Sequence, residues 1–102
     1  MFAMAIWDSR RNLLLLARDP FGIKPLFLRE HRGALWFASE IKALLQVPGA
    51  SREADPEALF HYLAFNYVPG NLTPFRGITE LEPGTLLEYR PGGGEVSRRR
   101  FF

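Results

Sequence analysis

Arg18-Asp19-Pro20-Phe21-Gly22-Ile23-Lys24-Pro25-Leu26 concentrates more chemistry than any other stretch of this 102-residue chain. It sets charges, two prolines and a glycine between strongly apolar runs. Pro20 and Pro25 fix φ, and Gly22 permits backbone that a β-carbon opposes. A connection so specified positions something, because loops on a rigid sheet often carry function. Arg18 and Asp19 read as an ion pair that orders the turn and braces a site wall. Ala38-Ser39-Glu40-Ile41-Lys42-Ala43-Leu44 follows soon after. No cysteine occurs in the sequence, so thiolate catalysis, disulfides and thiolate metal sites have no residue here.

Other reactive side chains are scattered. None of Ser9, Ser39, Ser51 or Ser97 sits in a nucleophile-elbow motif, and Ser39 reads as a helix cap. His61 follows Glu57 by one helical turn, but zinc takes three or four ligands, so His61 reads as an ordinary helix residue. His31 reads as a solvated turn residue. The Gly92–Gly94 run lacks the Lys-Ser/Thr of a phosphate loop and reads as a hairpin turn. Arg98-Arg99-Arg100 with Phe101-Phe102 combines basic and aromatic residues, as single-strand nucleic-acid binders do. It reads instead as a solvated strand edge or a linker stub, with no nucleic-acid partner.

Composition sets the frame for these groups. At 47% hydrophobic and 14% aromatic, the chain has material for one compact α+β domain with a modest core. A net charge of +2 does not by itself imply a polyanion partner. No apolar run approaches the roughly 20 residues of a membrane-spanning helix, and the start lacks the basic segment of a signal peptide. The location implied is cytoplasmic, with no membrane partner.

The elements follow from periodicity. Phe2, Met4 and Ile6 alternate with Ala3, Ala5 and Trp7. Both sets are apolar, so this strand is expected to be covered on both faces. A core strand opening at residue 1 reads as one whose natural beginning lies upstream. Asp8–Asn12 is a polar turn, and Leu13–Ala17 a second buried strand. Leu26–Leu28 makes a third, Arg29–Gly33 a turn, and Ala34–Ala38 a fourth. Together they read as an antiparallel meander. Ser39 as N-cap, with Glu40 beside it, starts a short helix running to about Gln46. Asp55-Pro56-Glu57 starts a second, with Asp as cap and Pro at the first helical position. Leu59, Tyr62, Leu63 and Asn66 share its face, and Tyr67–Asn71 ends it. After turns at Pro74–Gly77 and Pro83-Gly84, Thr85–Tyr89 is a strand. Pro91–Gly94 turns the chain, and Glu95–Phe102 returns as its partner.

These segments resemble, in order, the glutaminase domain of the glutamine-hydrolysing asparagine synthetases, specifically its later half. The resemblance spans essentially all 102 residues. R-D-x-x-G-x-x-P-L followed by A-S-E-x-K-A-L is specific to class II glutamine amidotransferases. Asp55–Pro69 and Phe75-Arg76-Gly77-Ile78 with Leu81-Glu82-Pro83-Gly84 point to the asparagine synthetase branch.

The resemblance implies an N-terminal-nucleophile-type αββα sandwich, present here in part as a single partial domain over residues 1–102. It implies an N-terminal cysteine whose thiolate attacks the glutamine side-chain amide. Ammonia then reaches an ATP- and magnesium-dependent synthetase domain that amidates aspartate. The family's nucleophile, glutamine-binding arginine, Asn-Gly-Glu and Ser-Asp segments would lie upstream of Met1. Its ATP-binding motif would lie downstream of Phe102. The chain by itself is therefore expected to be inactive, to hold no cofactor, and to need the preceding half-domain and the synthetase domain, or a partner subunit, before glutamine can bind. What carries over is a supporting loop near the glutamine pocket or domain boundary: Arg18, Asp19, Gly22, Pro25, Leu26, Ser39 and Glu40. The alternative is a non-catalytic interaction module that complements a partner subunit.

Overall fold

The computed structural model describes residues 2–21, 24–65 and 73–101. Among the described residues seven strands and two helices make a mixed α+β fold, with two antiparallel sheets packed face to face. Along the chain come β1 (Ala3–Asp8), β2 (Leu13–Arg18), β3 (Phe27–His31), β4 (Ala34–Ala38), α1 (Ile41–Leu44), α2 (Pro56–Phe65), β5 (Thr79–Glu80), β6 (Thr85–Arg90) and β7 (Gly94–Arg100). One sheet has the order β1-β2-β6-β7, the other β4-β3-β5.

The expected meander is therefore two hairpins, one in each sheet. β1 and β2 pair from Ala3↔Arg18 to Asp8↔Leu13. β3 and β4 pair from Phe27↔Ala38 to His31↔Ala34. Alternating pattern marks each strand, but it does not say which sheet a strand joins. The Arg18–Leu26 connection does that, by carrying the chain across the sandwich.

Each hairpin turn has its own device. Asp8 Oδ1 accepts from the Arg10 and Arg11 amides at 3.0 and 3.3 Å, and Asn12 takes φ 52°. Arg32 and Gly33 take φ 52° and 77°, the two positive values a tight hairpin turn requires. The Arg29–Gly33 turn is thus shorter than expected, because Arg29, Glu30 and His31 all belong to β3.

The core lies between the sheets. Leu16 and Leu87 from the first sheet meet Leu28 from the second, with Leu26 and Leu81 beside them. Period-2 alternation in β6 shows this directly: Thr85, Leu87 and Tyr89 are buried, and their neighbours less so. The same inner face of the first sheet carries Arg18 at one end and Tyr89 at the other. Tyr89 donates to Gly33 O at 3.3 Å, so it ties the sheets together at the hairpin-turn end. Burial pushes the Tyr89 phenol above its ordinary pKa, and the nearby Glu30 carboxylate adds to the rise.

The helices differ in how far the sequence foretells them. α2 begins as expected: Asp55 Oδ1 accepts from the Glu57 and Ala58 amides at 3.0 and 3.3 Å. Its expected end, Tyr67–Asn71, and Asn66 fall outside the described residues, and so does the side chain of Tyr62. Leu63 is exposed, at 74%, so the face assigned to it is not covered here. α1 is only four residues long, and its N-cap is Glu40 in extended conformation with no side-chain cap bond. Ser39 is not the cap. α1 packs on β3 and β4.

β1 departs most from expectation. Met4, Ile6 and Trp7 are exposed, Trp7 at 51%. β1 is an edge strand of its sheet, and only Ala3 packs against the core cluster. Among the described residues neither face of β1 is fully covered. No described helix is long and apolar enough to cross a membrane.

Candidate functional site

One end of the sandwich gathers the residues singled out by the sequence. β1 begins there, β2 ends there, β3 begins there and β4 ends there. The loop between β2 and β3 spans that end, and its anchor is Arg18.

Arg18 is 4% exposed and uses its guanidinium as a three-way bridge. Nη1 donates to Glu80 Oε2 and to Leu81 O, each at 2.6 Å. Nε donates to Lys24 O at 3.0 Å. The first two bonds reach from one sheet to the end of β5 in the other and to the residue after it, and the third pins the far side of the loop. A charge this deep persists because a carboxylate and main-chain oxygens replace its water.

The backbone closes the same corner. The Asp19 amide donates to Phe2 O at 2.9 Å, and the Gly84 amide donates to Arg18 O and Asp19 O at 3.0 and 2.8 Å. The Leu81 amide donates to Leu26 O at 2.8 Å. Asp19 itself is buried. The Pro83-Gly84 turn is thus part of the loop's support, with Gly84 at φ 69°.

A cleft of about 330 Å³ opens at this end, lined by Phe2, Ala3, Lys24, Pro25 and Ser39. Its floor is apolar, and its polar groups are an amine and a hydroxyl. Of the seven residues expected to support a site, Pro25 and Ser39 line the cleft. Arg18 and Asp19 are buried at the β2 end of the loop, and Leu26 belongs to the core cluster. Glu40 is exposed and lies 3.7 Å from Lys42 Nζ. Gly22 lies outside the described residues.

Two participants carry no mark in the sequence. Glu80 meets Arg18 from 62 residues away, and it belongs to a two-residue strand too short to show alternation. Arg29 reads as a turn residue but is buried in β3.

The remaining candidates do not converge here. Arg98, Arg99 and Arg100 face Glu95, Glu88 and Glu82 at 2.9, 3.6 and 4.0 Å, so each arginine of the run has a carboxylate beside it. Among the described residues no group of three or more His, Asp or Glu side chains is placed to hold a metal.

Chemically, the corner offers position and a little charge. It presents an amine, a hydroxyl and braced backbone, with no nucleophilic thiol in the sequence.

Residues 1–102 match the glutamine amidotransferase domain family. Asparagine synthetase (glutamine-hydrolyzing) 1 of Bacillus subtilis is 39% identical over 102 residues, which are all of this chain and 16% of that protein. Its counterpart 3 from the same organism is 36% identical over 100 residues, 96% of this chain and 16% of that protein. A Mycobacterium bovis protein is 45% identical over 93 residues, 88% of this chain and 14% of that protein. The chain therefore spans about one-sixth or less of the length of these relatives.

Proposed function

The chain belongs to the glutamine amidotransferase domain family, and on that premise we propose that it is the scaffold part of a glutaminase domain in an asparagine synthetase-like enzyme. The parent enzyme would hydrolyse glutamine and use ATP to amidate aspartate, in the cytoplasm. In this reading the 102 residues position the glutamine pocket and do not break the amide. The thiolate that attacks it comes from sequence outside these residues. ATP and magnesium act in a synthetase domain, also outside them.

One observation carries the proposal. Two of the segments that resemble the family, Arg18–Leu26 and Ala38–Leu44, flank the β3–β4 hairpin and meet at a single cleft through Pro25 and Ser39. Arg18 holds that meeting fixed through Glu80 and Leu81. An oriented wall of this kind serves acyl transfer by keeping the amide aligned with its nucleophile.

The test has two arms. The purified chain, given glutamine, releases glutamate no faster than a boiled control. Joining it to the residues that precede the matched region in the Bacillus subtilis enzyme restores release, and alkylation of the thiol abolishes it. Release by the unjoined chain would overturn the scaffold reading. A well-folded chimera without activity would overturn the glutaminase assignment.

A second reading has its own support in the exposed Met4, Ile6, Phe60 and Leu63. Here the chain is a non-catalytic module that pairs with a partner subunit through these faces. A stable monomer in light scattering at micromolar concentration argues against it.

A further inference from the structure

Arg29 sits in β3 opposite Trp36 of β4, and only 3% of it is exposed. Its guanidinium makes no hydrogen bond to a carboxylate among the described residues. Nη1 donates to Leu44 O at 3.2 Å. Nη2 donates to Ser51 O at 2.7 Å and to Arg76 O at 2.8 Å. The three acceptors come from three separate segments: the last residue of α1, the loop beyond it, and the turn before β5.

The surroundings are shaped around that group. A β-carbon on Gly77 would lie 3.4 Å from Arg29 Nη2, and Gly77 has φ +80°. A side chain there is disfavoured by the backbone, while its β-carbon would rest against the guanidinium at ordinary contact distance. Arg52 adds a second tie on the same segment, with Nε donating to Leu45 O at 3.0 Å.

α1 needs such an anchor. Four residues form barely one helical turn, and a lone turn is not stable in water. Its N-cap contributes no side-chain bond. Leu44 is buried at one end of this arm, and Ser39 lines the cleft at the other.

We propose that Arg29 is a positioning residue: by gripping the carbonyls of Leu44, Ser51 and Arg76, it fixes the Ser39–Leu44 arm and so sets the cleft wall at Ser39. What the cleft does rests on the function proposed above, but the grip on the arm does not. Lysine cannot replace the grip, because a single nitrogen cannot reach three carbonyls that a planar fork spans.

The test follows the arm and needs no glutamine, so its failure is separate from failure of the glutaminase assignment. The sequence has no cysteine, so S39C gives the full chain one attachment point for a fluorinated probe. With Arg29 present, the probe gives one sharp resonance. In R29K the resonance broadens or splits. Amide exchange at Leu45, Gln46 and Val47 speeds up about tenfold, while Leu15 and Leu87 stay within about twofold. G77A, which strains the backbone next to the Arg76 carbonyl that the guanidinium holds, gives the same local pattern and serves if R29K does not fold. Equal acceleration in the strands would mean that Arg29 supports general stability only, and would overturn the proposal. An unchanged resonance with unchanged exchange would also overturn it.

Discussion

Arg18 and Tyr89 are placed alike and behave oppositely. Both come from the inner face of one sheet and reach across to the other, one at each end of the sandwich. Arg18 is charged, so its removal strands oxygens that have lost their water. Arg18→Met is expected to destabilise by about 3 kcal/mol, the lower end for breaking a buried pair, because Glu80 is partly open to solvent. Glu80→Gln keeps a hydrogen-bonding group and costs about 1 kcal/mol. Urea denaturation of the two variants checks both. Tyr89 is neutral, and its raised pKa makes it a pH-dependent contributor. The folded state holds the phenolic proton more tightly than the unfolded state does. Its contribution is therefore complete below the ordinary tyrosine pKa of 10.0 and is lost as pH rises through the higher folded value. Melting temperatures between pH 8 and pH 11 fall less steeply for Tyr89→Phe than for the unaltered chain. The Arg18 loop was legible as a functional candidate because its charges, prolines and glycine are adjacent. Its partner Glu80 was not, since nothing local links residues 62 apart.

At the scale of elements, legibility tracks how local the determining interaction is. Asp55 and Pro56 state the start of α2 within three residues, and the cap bonds form as written. Asp55→Ala is expected to cost about 1 kcal/mol. Ser39 offered the same signal and gave no cap, because the chain there remains extended through Glu40 and α1 is held by its far end. Ser39→Ala is therefore expected to change stability by less than about 0.5 kcal/mol. Thermal melts of the pair distinguish a true cap from its imitation. Strand alternation likewise located β1 to β4 but assigned them to one sheet. The deciding feature, a loop that crosses the sandwich, is visible only through its contacts with Gly84 and Leu81. The β3–β4 turn supplies one more measurement. A β-carbon on Gly33 would meet nothing within 4 Å, but φ is +77°. Gly33→Ala should thus cost about 1 kcal/mol through the backbone alone.

The molecule as a whole is ordered by an imbalance between its two sheets. The second sheet has α1 packed on β3 and β4, while β1 of the first leaves Met4 and Ile6 exposed. These residues read as a strand covered on both faces because each is apolar in an alternating run; the composition is as read, but among the described residues the coverage is not there. Coverage depends on what packs against the strand, and only Ala3 of β1 contributes to the described core. β1 also has no lysine, proline or bulge along its edge, the features that discourage strand pairing. β7, at the opposite edge, carries three arginines beside three carboxylates. The isolated chain is therefore expected to self-associate through β1 rather than through β7. Static light scattering should show a mass that rises with concentration in the micromolar range. Ile6→Lys places a charge on the exposed face of β1 without touching the core, and it should hold the chain nearer to its monomer mass. Val96→Lys, a charge of the same kind on the already charged β7, should leave the association unchanged. Equal effects from the two would mean that net charge, not the open face of β1, governs the behaviour.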